Sequence, residues 1–289
     1  MTTADALIAA TDTLTEAGIE TPRFDAQLLL AWTLKVRRED LAREPERLLT
    51  EREQVIFAKA VSLRALRRPL PYITGEVWFY GRAFKINRAV LIPRPETEAL
   101  AAAALDACRD VQNPKIADIG TGSGCLAVTL ACERLDARVW ATDLSADALT
   151  LARKNVVRYG LAGRVQLAHG DLLGPLPEEL RFDVIVSNPP YVTEAELPHL
   201  QPEVRDYEPT LALSGLGGAS GPDGTALHRR LLAEASAFLR PGGTLLLEVG
   251  MGQAEGVADA AREMGYGDVS VLNDFSGIGR VVTACFHGF

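Results

Sequence analysis

From Ala99 onward, short apolar runs bounded by turn residues alternate with stretches of helical periodicity, and this rhythm restricts the possible folds more than any other feature of the chain. The runs fall at residues 115–119, 138–142, 164–169, 182–187, 244–249, 269–272 and 281–286. Strands of this composition are buried on both faces, and helices between the first five make each return parallel. A seven-stranded, doubly wound α/β sheet is predicted, with ligands outside the carboxyl ends of its strands. The last two runs are joined only by NDFSGIGR, too short for a helical crossover, so those two strands should pair antiparallel.

The front of the chain has another texture. Apolar positions recur at helical spacing in Ala6-Leu7, Ala10 and Leu14, in Phe24, Leu28-Leu29 and Trp32, and in Val55-Ile56, Lys59-Ala60 and Leu63. Gly18, Pro22 and the stretch 43–45 punctuate them, which predicts a small helical bundle over residues 1–75. Val77, Phe79, Phe84 and Ile86 alternate around Tyr80-Gly81-Arg82, a β-hairpin pattern that makes residues 76–92 a connector. Residues 93–289 then form the α/β domain.

Acidic and basic side chains balance over residues 1–75, and the net charge of −8 falls on the remainder. That charge argues against a protein whose affinity comes from neutralising phosphates, so no direct nucleic-acid binding is expected. Arg64, Arg67 and Arg68 read as a solvated helix end. Four cysteines without a CxxC pair and four scattered histidines suggest neither a disulfide framework nor a metal site. No apolar run reaches the roughly 18 residues of a membrane span, and a reducing cytoplasm is expected.

After the first strand comes ADIGTGSGCLAV. Gly120, Gly122 and Gly124, with Thr121 and Ser123 between them, let the backbone turn tightly and approach a ligand, while a helix starting near Ser123 aims free N–H groups at the same space. The spacing is GxGxG rather than the GxGxxG of dinucleotide sites, and no Walker lysine follows. Asp143 ends the second strand, where a carboxylate accepts from both hydroxyls of an adenosine ribose. Asp171 ends the third; with Leu172 it suits an exocyclic amine and an adenine face. Asp118, at the mouth of the loop, would orient an ammonium through the loop backbone. Each aspartate alone also fits a helix N-cap. As an ordered set they describe a nucleoside with a zwitterionic tail, and S-adenosyl-L-methionine fits better than a nucleoside triphosphate.

The fourth strand ends in SNPPYV. Pro189 and Pro190 fix the backbone with carbonyls toward the cleft and no competing N–H, and Asn188 adds a side-chain carbonyl. Two such acceptors suit an amine or amide that presents two N–H donors, with Tyr191 stacking on it or walling it from water. An amide nitrogen is a poor nucleophile, so catalysis must orient it and stabilise the positive charge it gains on attack. Carbonyl dipoles do both, and the absence of a matched His or Glu beside the motif suits a reaction that needs no ionised base.

DIGTGSG and NPPY are shared by many amino methyltransferases. Together with LIPRPETE at 91–98, YEPTLALSG at 207–215, EVGMGQ at 248–253, DFSGIGR at 274–280 and the helical segment with its hairpin, they make nearly the whole chain resemble the HemK/PrmC family of release factor glutamine methyltransferases. The resemblance implies a class I S-adenosylmethionine-dependent methyltransferase fold with its last strand antiparallel. It implies methyl transfer to the side-chain amide nitrogen of the glutamine in the Gly-Gly-Gln loop of bacterial class I release factors, modulating translation termination and leaving S-adenosyl-L-homocysteine. By position, Gly120 to Gly124 and Asp143 match the cofactor loop and ribose ligand, and Asn188 to Tyr191 the substrate motif. Leu172 departs from relatives that carry an aromatic residue there. Arg94 and Thr97 are expected to face inward, and the helical domain to dock the release factor. The nearest rival is an adenine amino methyltransferase acting on nucleic acid, which would need a basic recognition surface. A catalytically silent S-adenosylmethionine-binding module would not need the Asn188 and proline-pair motif, and a nicotinamide oxidoreductase would need a dinucleotide at the glycine loop.

Overall fold

The computed structural model describes residues 1–274 and 276–288 and divides into two compact units. Phe275 of the DFSGIGR stretch lies outside the described residues. One unit comprises Met1–Glu76 with Gln201–Tyr207; the other comprises Val77–Leu200 with Glu208–Phe289.

The smaller unit is helical: α1 (Thr3–Glu16), α2 (Pro22–Leu34), a 3-10 turn (Arg38–Ala42), α3 (Glu51–Ala65), α4 (Leu70–Thr74) and, from the returning segment, α8 (Pro202–Arg205). Local chemistry sets the helix starts. Thr2 with Asp5 and Thr50 with Glu53 form capping boxes, and Pro22 occupies the first turn of α2. In α1 the buried stripe is Ala6, Ala10 and Leu14, as the periodicity predicts.

The next two helices bury only part of the predicted stripes. Leu29 and Ala60 are buried as expected and Leu28, Ile56 and Leu63 are half-buried, but Phe24, Trp32 and Val55 are exposed, and Ala26 and Leu30 of α2 and Phe57 and Val61 of α3 are buried in addition. The reason is a charge pair that a hydrophobic pattern reads as surface. Asp25 and Arg64 both turn inward and meet at 2.7 Å, which puts these two positions of α2 and α3 in the core. Glu203 on α8 accepts from Arg64 at 3.0 Å and from Arg67 at 3.2 Å. Arg64 is therefore a buried, paired group and not a solvated helix end.

The larger unit opens with β1 (Glu76–Phe79) and β2 (Arg82–Lys85). Tyr80 and Gly81 both have positive φ, the requirement of a two-residue hairpin turn matched to strand twist. Phe79 and Phe84 meet edge-on with centroids 6.2 Å apart inside the hydrophobic core of this unit, which makes the hairpin a built-in part of it.

Next come α5 (Thr97–Ala107), β3 (Lys115–Ile119), α6 (Cys125–Glu133), β4 (Arg138–Asp143), α7 (Ala146–Arg158), β5 (Val165–His169) and β6 (Phe182–Ser187). The chain continues through α9 (Thr210–Ser214), α10 (Ala226–Ala235), β7 (Leu239–Glu248), α11 (Ala254–Glu263), β8 (Gly267–Asn273) and β9 (Gly279–Phe286). The seven strands β3 to β9 form one sheet in the order β5-β4-β3-β6-β7-β9-β8. Among the described residues, β9 lies between β7 and β8 and runs antiparallel to both, while the other pairings in this sheet are parallel. Alternate residues serve opposite faces: Ile116, Val184 and Val186 pack with α5 and α6, while Ala117, Ile119 and Ile185 pack with α10 and α11.

One predicted helix does not form. Residues 170–181, between β5 and β6, are turns, because Gly170, Gly174, Pro175 and Pro177 leave no helical run among them. Strand order reverses between β3 and β6, which places the ligand crevice at the carboxyl ends of those two strands.

Candidate active site

The loop after β3 occupies that crevice. Gly120, Gly122 and Gly124 have φ of 73°, 55° and 79°, values that L side chains rarely adopt, so the loop needs glycine at all three. Gly120 and Thr121 both donate to the Thr142 carbonyl at 2.9 Å, which ties the loop to the end of β4. Asp143 then accepts from the Gly122 amide and from the Ser145 amide, each at 2.8 Å. Burial raises the Asp143 carboxyl above its ordinary value, opposed by these two amides.

Asp118 is placed beneath the loop, off the cavity wall, and not at its mouth. Its Oδ2 accepts from the Thr121 hydroxyl at 2.6 Å and from the Ala127 amide at 3.0 Å, while Oδ1 is buried without a partner. Burial pushes this carboxyl up to about 6.

A cavity of about 430 Å³ gathers Gly120, Thr121, Gly122, Ser123, Asp143, Leu172, Asn188 and Pro190 on one wall system. Arg94 and Thr97 also line it, so both face inward. Asp171 is at the rim, paired with Arg230 of α10 at 2.7 Å. Leu172 adopts φ 44°, and its carbonyl accepts from the Thr142 hydroxyl at 2.9 Å. Gly124, Pro189 and Tyr191 do not line the cavity. Gly124 instead caps α6, and Pro189 is buried behind Asn188. The Tyr191 carbonyl accepts from Gln253 Nε2 at 3.1 Å, and burial, reinforced by the nearby Glu248 carboxylate, pushes its phenol up to about 12.

Two functional-looking acids, Glu208 and Glu248, and one contact, between Thr97 and Asn188, go beyond the linear pattern. Glu208, from YEPTLALSG, is buried and accepts from Arg94 at 2.5 Å and from the Ile92 amide at 3.1 Å, which anchors the LIPRPETE segment. Thr97 Oγ1 accepts from Asn188 Nδ2 at 3.3 Å. Glu248 ends β7 and is only 2% exposed, with Oε2 buried and unpartnered. Burial pushes its carboxyl up to about 7, opposed by the Thr97 hydroxyl, Arg280 and the Asn188 side chain. A glutamate therefore does stand beside NPPY, contrary to the expectation that none does. Its position at a strand's carboxyl end is the same signal that marks Asp143, and EVGMGQ carried it.

The sequence matches two family profiles, the PrmC N-terminal domain over residues 5–75 and the methyltransferase small domain over residues 97–201. It is 43% identical over 285 residues to the release factor glutamine methyltransferase of Moorella thermoacetica, covering 98% of both chains. Its identity to the protein of the same name from Cereibacter sphaeroides is 43% over 286 residues, again covering 98% of each. A methyltransferase crystal structure from Pyrococcus furiosus, 19% identical, aligns with 83% of this chain and 100% of its own at a TM-score of 0.52, and shares the sheet fold. With its full length matched at this identity, the chain belongs to the release factor glutamine methyltransferase family.

Proposed function

We propose that this chain transfers a methyl group from S-adenosyl-L-methionine to the side-chain amide nitrogen of the glutamine in the Gly-Gly-Gln loop of bacterial class I release factors. One observation carries the reading: the glycine loop, Asp143 and Asn188 converge on a single cavity. The residues suit the cofactor, because the loop amides and an ordered carboxylate surround a space open between apolar walls that include Leu91, Leu126 and Leu227. Gly120 to Ser123 would hold its amino-acid end, with Gly124 shaping the turn behind them, Asp143 its ribose, and Leu172 the adenine face. When bound, S-adenosylmethionine supplies a methyl group made electrophilic by its sulfonium.

The chain's own task is to hold the glutamine nitrogen. Asn188 Oδ1 and a backbone carbonyl of the proline pair accept its two N–H groups, which aligns the nitrogen and stabilises the positive charge it gains. Loss of one proton to solvent water then restores a neutral secondary amide. Tyr191, off the cavity wall, backs the motif, its carbonyl held by Gln253 at 3.1 Å. The helical unit is assigned to docking the release factor, and the reaction to the cytoplasm, where such factors act.

Mass spectrometry of a purified release factor incubated with the full chain and S-adenosylmethionine tests this. One methyl gained on the loop glutamine, and a roughly 100- to 1,000-fold rate loss in Asn188→Ala, is the expected outcome. Methylated adenine in added nucleic acid, with an unmodified release factor, would overturn it.

A further inference from the structure

An asparagine side chain is nearly symmetric in shape and opposite in chemistry at its two ends. Held one way, Asn188 offers Oδ1 to the cavity; flipped, it offers Nδ2, and a substrate with two N–H groups meets a donor instead of an acceptor. Something must make one orientation much the better. The Thr97 hydroxyl alone does not, because a hydroxyl accepts from Nδ2 as readily as it donates to Oδ1.

Glu248 removes the ambiguity. Pairing of β6 with β7 aligns Ser187 with Leu247, so the next residues along, Asn188 and Glu248, emerge side by side at the carboxyl edge of the sheet. The Glu248 carboxyl is buried against Thr97 and Asn188 and does not line the cavity, so it cannot itself touch a substrate there. Arg280 of β9, Glu96 just ahead of α5, Tyr191 after β6 and Cys125 of α6 are the other titratable or charged groups that act on it or feel it. From the next layer, His228 of α10 reaches only its backbone carbonyl, at 2.8 Å.

We propose that Glu248 is a positioning residue: its carboxylate accepts the Thr97 hydroxyl hydrogen and faces the Asn188 amide, so that Nδ2 is held inward and Oδ1 is turned to the cavity. Above its folded value of about 7 the Glu248 carboxyl is ionised and acceptor-only, so the kinetic test belongs at pH 8. With the hydroxyl hydrogen committed to it, Thr97 Oγ1 has only lone pairs left for Asn188, in agreement with the 3.3 Å donation from Nδ2 to Oγ1. The chain of polarity runs from Glu248 through Thr97 to Asn188, and its end is the acceptor assigned to the substrate nitrogen. The proposal rests on that assignment of Asn188.

Steady-state kinetics with the full chain, release factor and S-adenosylmethionine provide the test. Glu248→Gln keeps the shape but can turn an NH2 toward Thr97 and reverse the chain; kcat should fall roughly 10- to 100-fold, with KM for the release factor and calorimetric affinity for S-adenosylmethionine within about twofold. Thr97→Val should lose a similar amount, Thr97→Ser should restore most of it, and combining Glu248→Gln with Thr97→Val should be no worse than either alone. A kcat for Glu248→Gln within about twofold of the parent chain, or a double variant whose losses multiply, overturns the positioning role. Asn188→Ala run alongside separates the two levels. If it is inactive while Glu248→Gln and Thr97→Val turn over normally, only the positioning role fails; if it turns over normally, the reading of the site fails with it.

Discussion

In the helical unit, Asp25 and Arg64 are buried together at 2.7 Å, and Glu203 completes the group by accepting from both Arg64 and Arg67. In the sheet unit, Asp118 and Glu248 are as buried as the core side chains around them, yet each keeps one oxygen without a hydrogen-bond partner. The first arrangement offsets the desolvation of each charge with an opposite one. In the second, burial outweighs what opposes it, which for Glu248 includes Arg280, and the proton affinity of both carboxyls rises, to about 6 and about 7. Buried charge that is fully paired serves the fold; buried charge left short of partners lies within one side chain of the cavity. The contrast separates these two pairs of buried acids and not every acid of the site, since Asp143 has both oxygens hydrogen-bonded and still lines the cavity.

The largest effect should come from breaking the paired group. Arg64→Ala would leave Asp25 buried with no cation, at a loss on the order of 3–5 kcal/mol in chemical denaturation of the full chain. Replacing both partners with leucine should recover most of that loss, because the unpaired charge goes too. An Arg64→Ala chain as stable as the parent would mean the pair does not hold the helices, and the comparison would lose its first half.

Next in size is a gain. Glu248→Gln should lower activity and yet stabilise the protein above neutral pH. The ordinary value for this carboxyl is 4.5 and the folded value is about 7, so between them the folded chain holds a proton that the unfolded chain has lost. Stability from that proton is complete below the unfolded value and disappears as pH rises through the window from 4.5 to about 7. The glutamine variant lacks the loss, and at pH 8 should exceed the parent by up to ~3 kcal/mol. Asp118 behaves alike from 3.8 to about 6, whereas buried His228, pushed down from 6.5 to about 4, has the opposite sign. The measurement is therefore the difference between variant and parent melting curves at pH 5 and pH 8, in which the His228 contribution cancels. A difference that does not grow with pH would place Glu248 with the paired acids.

These contrasts explain which parts could be read from residue order. The strands were legible because apolar runs closed by glycine or aspartate are local signals, and Gly120 to Gly124, Asp143 and Asn188 stand at strand ends that those signals locate. The buried faces of α2 and α3 were legible only in part, Leu29 and Ala60 among them, since Asp25 and Arg64, 39 residues apart, count as surface until the fold brings them together. Glu248 was hidden for a similar reason. Nothing in the 60-residue stretch from Asn188 to Glu248 says that β7 will lie beside β6; only the register Ser187 to Leu247 makes them neighbours. The missing helix between β5 and β6 is a different failure, in which the alternating rhythm outweighed two glycines and two prolines that argued locally for turns.

The smallest predicted effect separates exposure from pairing. Arg230 and Asp171 meet at 2.7 Å, the same distance as Asp25 and Arg64, but their side chains are 46% and 53% exposed. Water screens such a pair, and both groups remain solvated when it breaks, so Arg230→Ala should change stability by no more than about 0.5 kcal/mol. Salt should have as little effect: the parent and the variant should respond alike to 0.5 M added chloride, on the order of a tenfold rise over ordinary buffer, because the Coulombic attraction is already weak. Equal geometry with unequal consequence is the sharpest form of the contrast between the two units. If Arg230→Ala instead destabilised the chain as strongly as Arg64→Ala, a short ion-pair distance alone would govern, and the unpartnered oxygens of Asp118 and Glu248 would lose their meaning as marks of function.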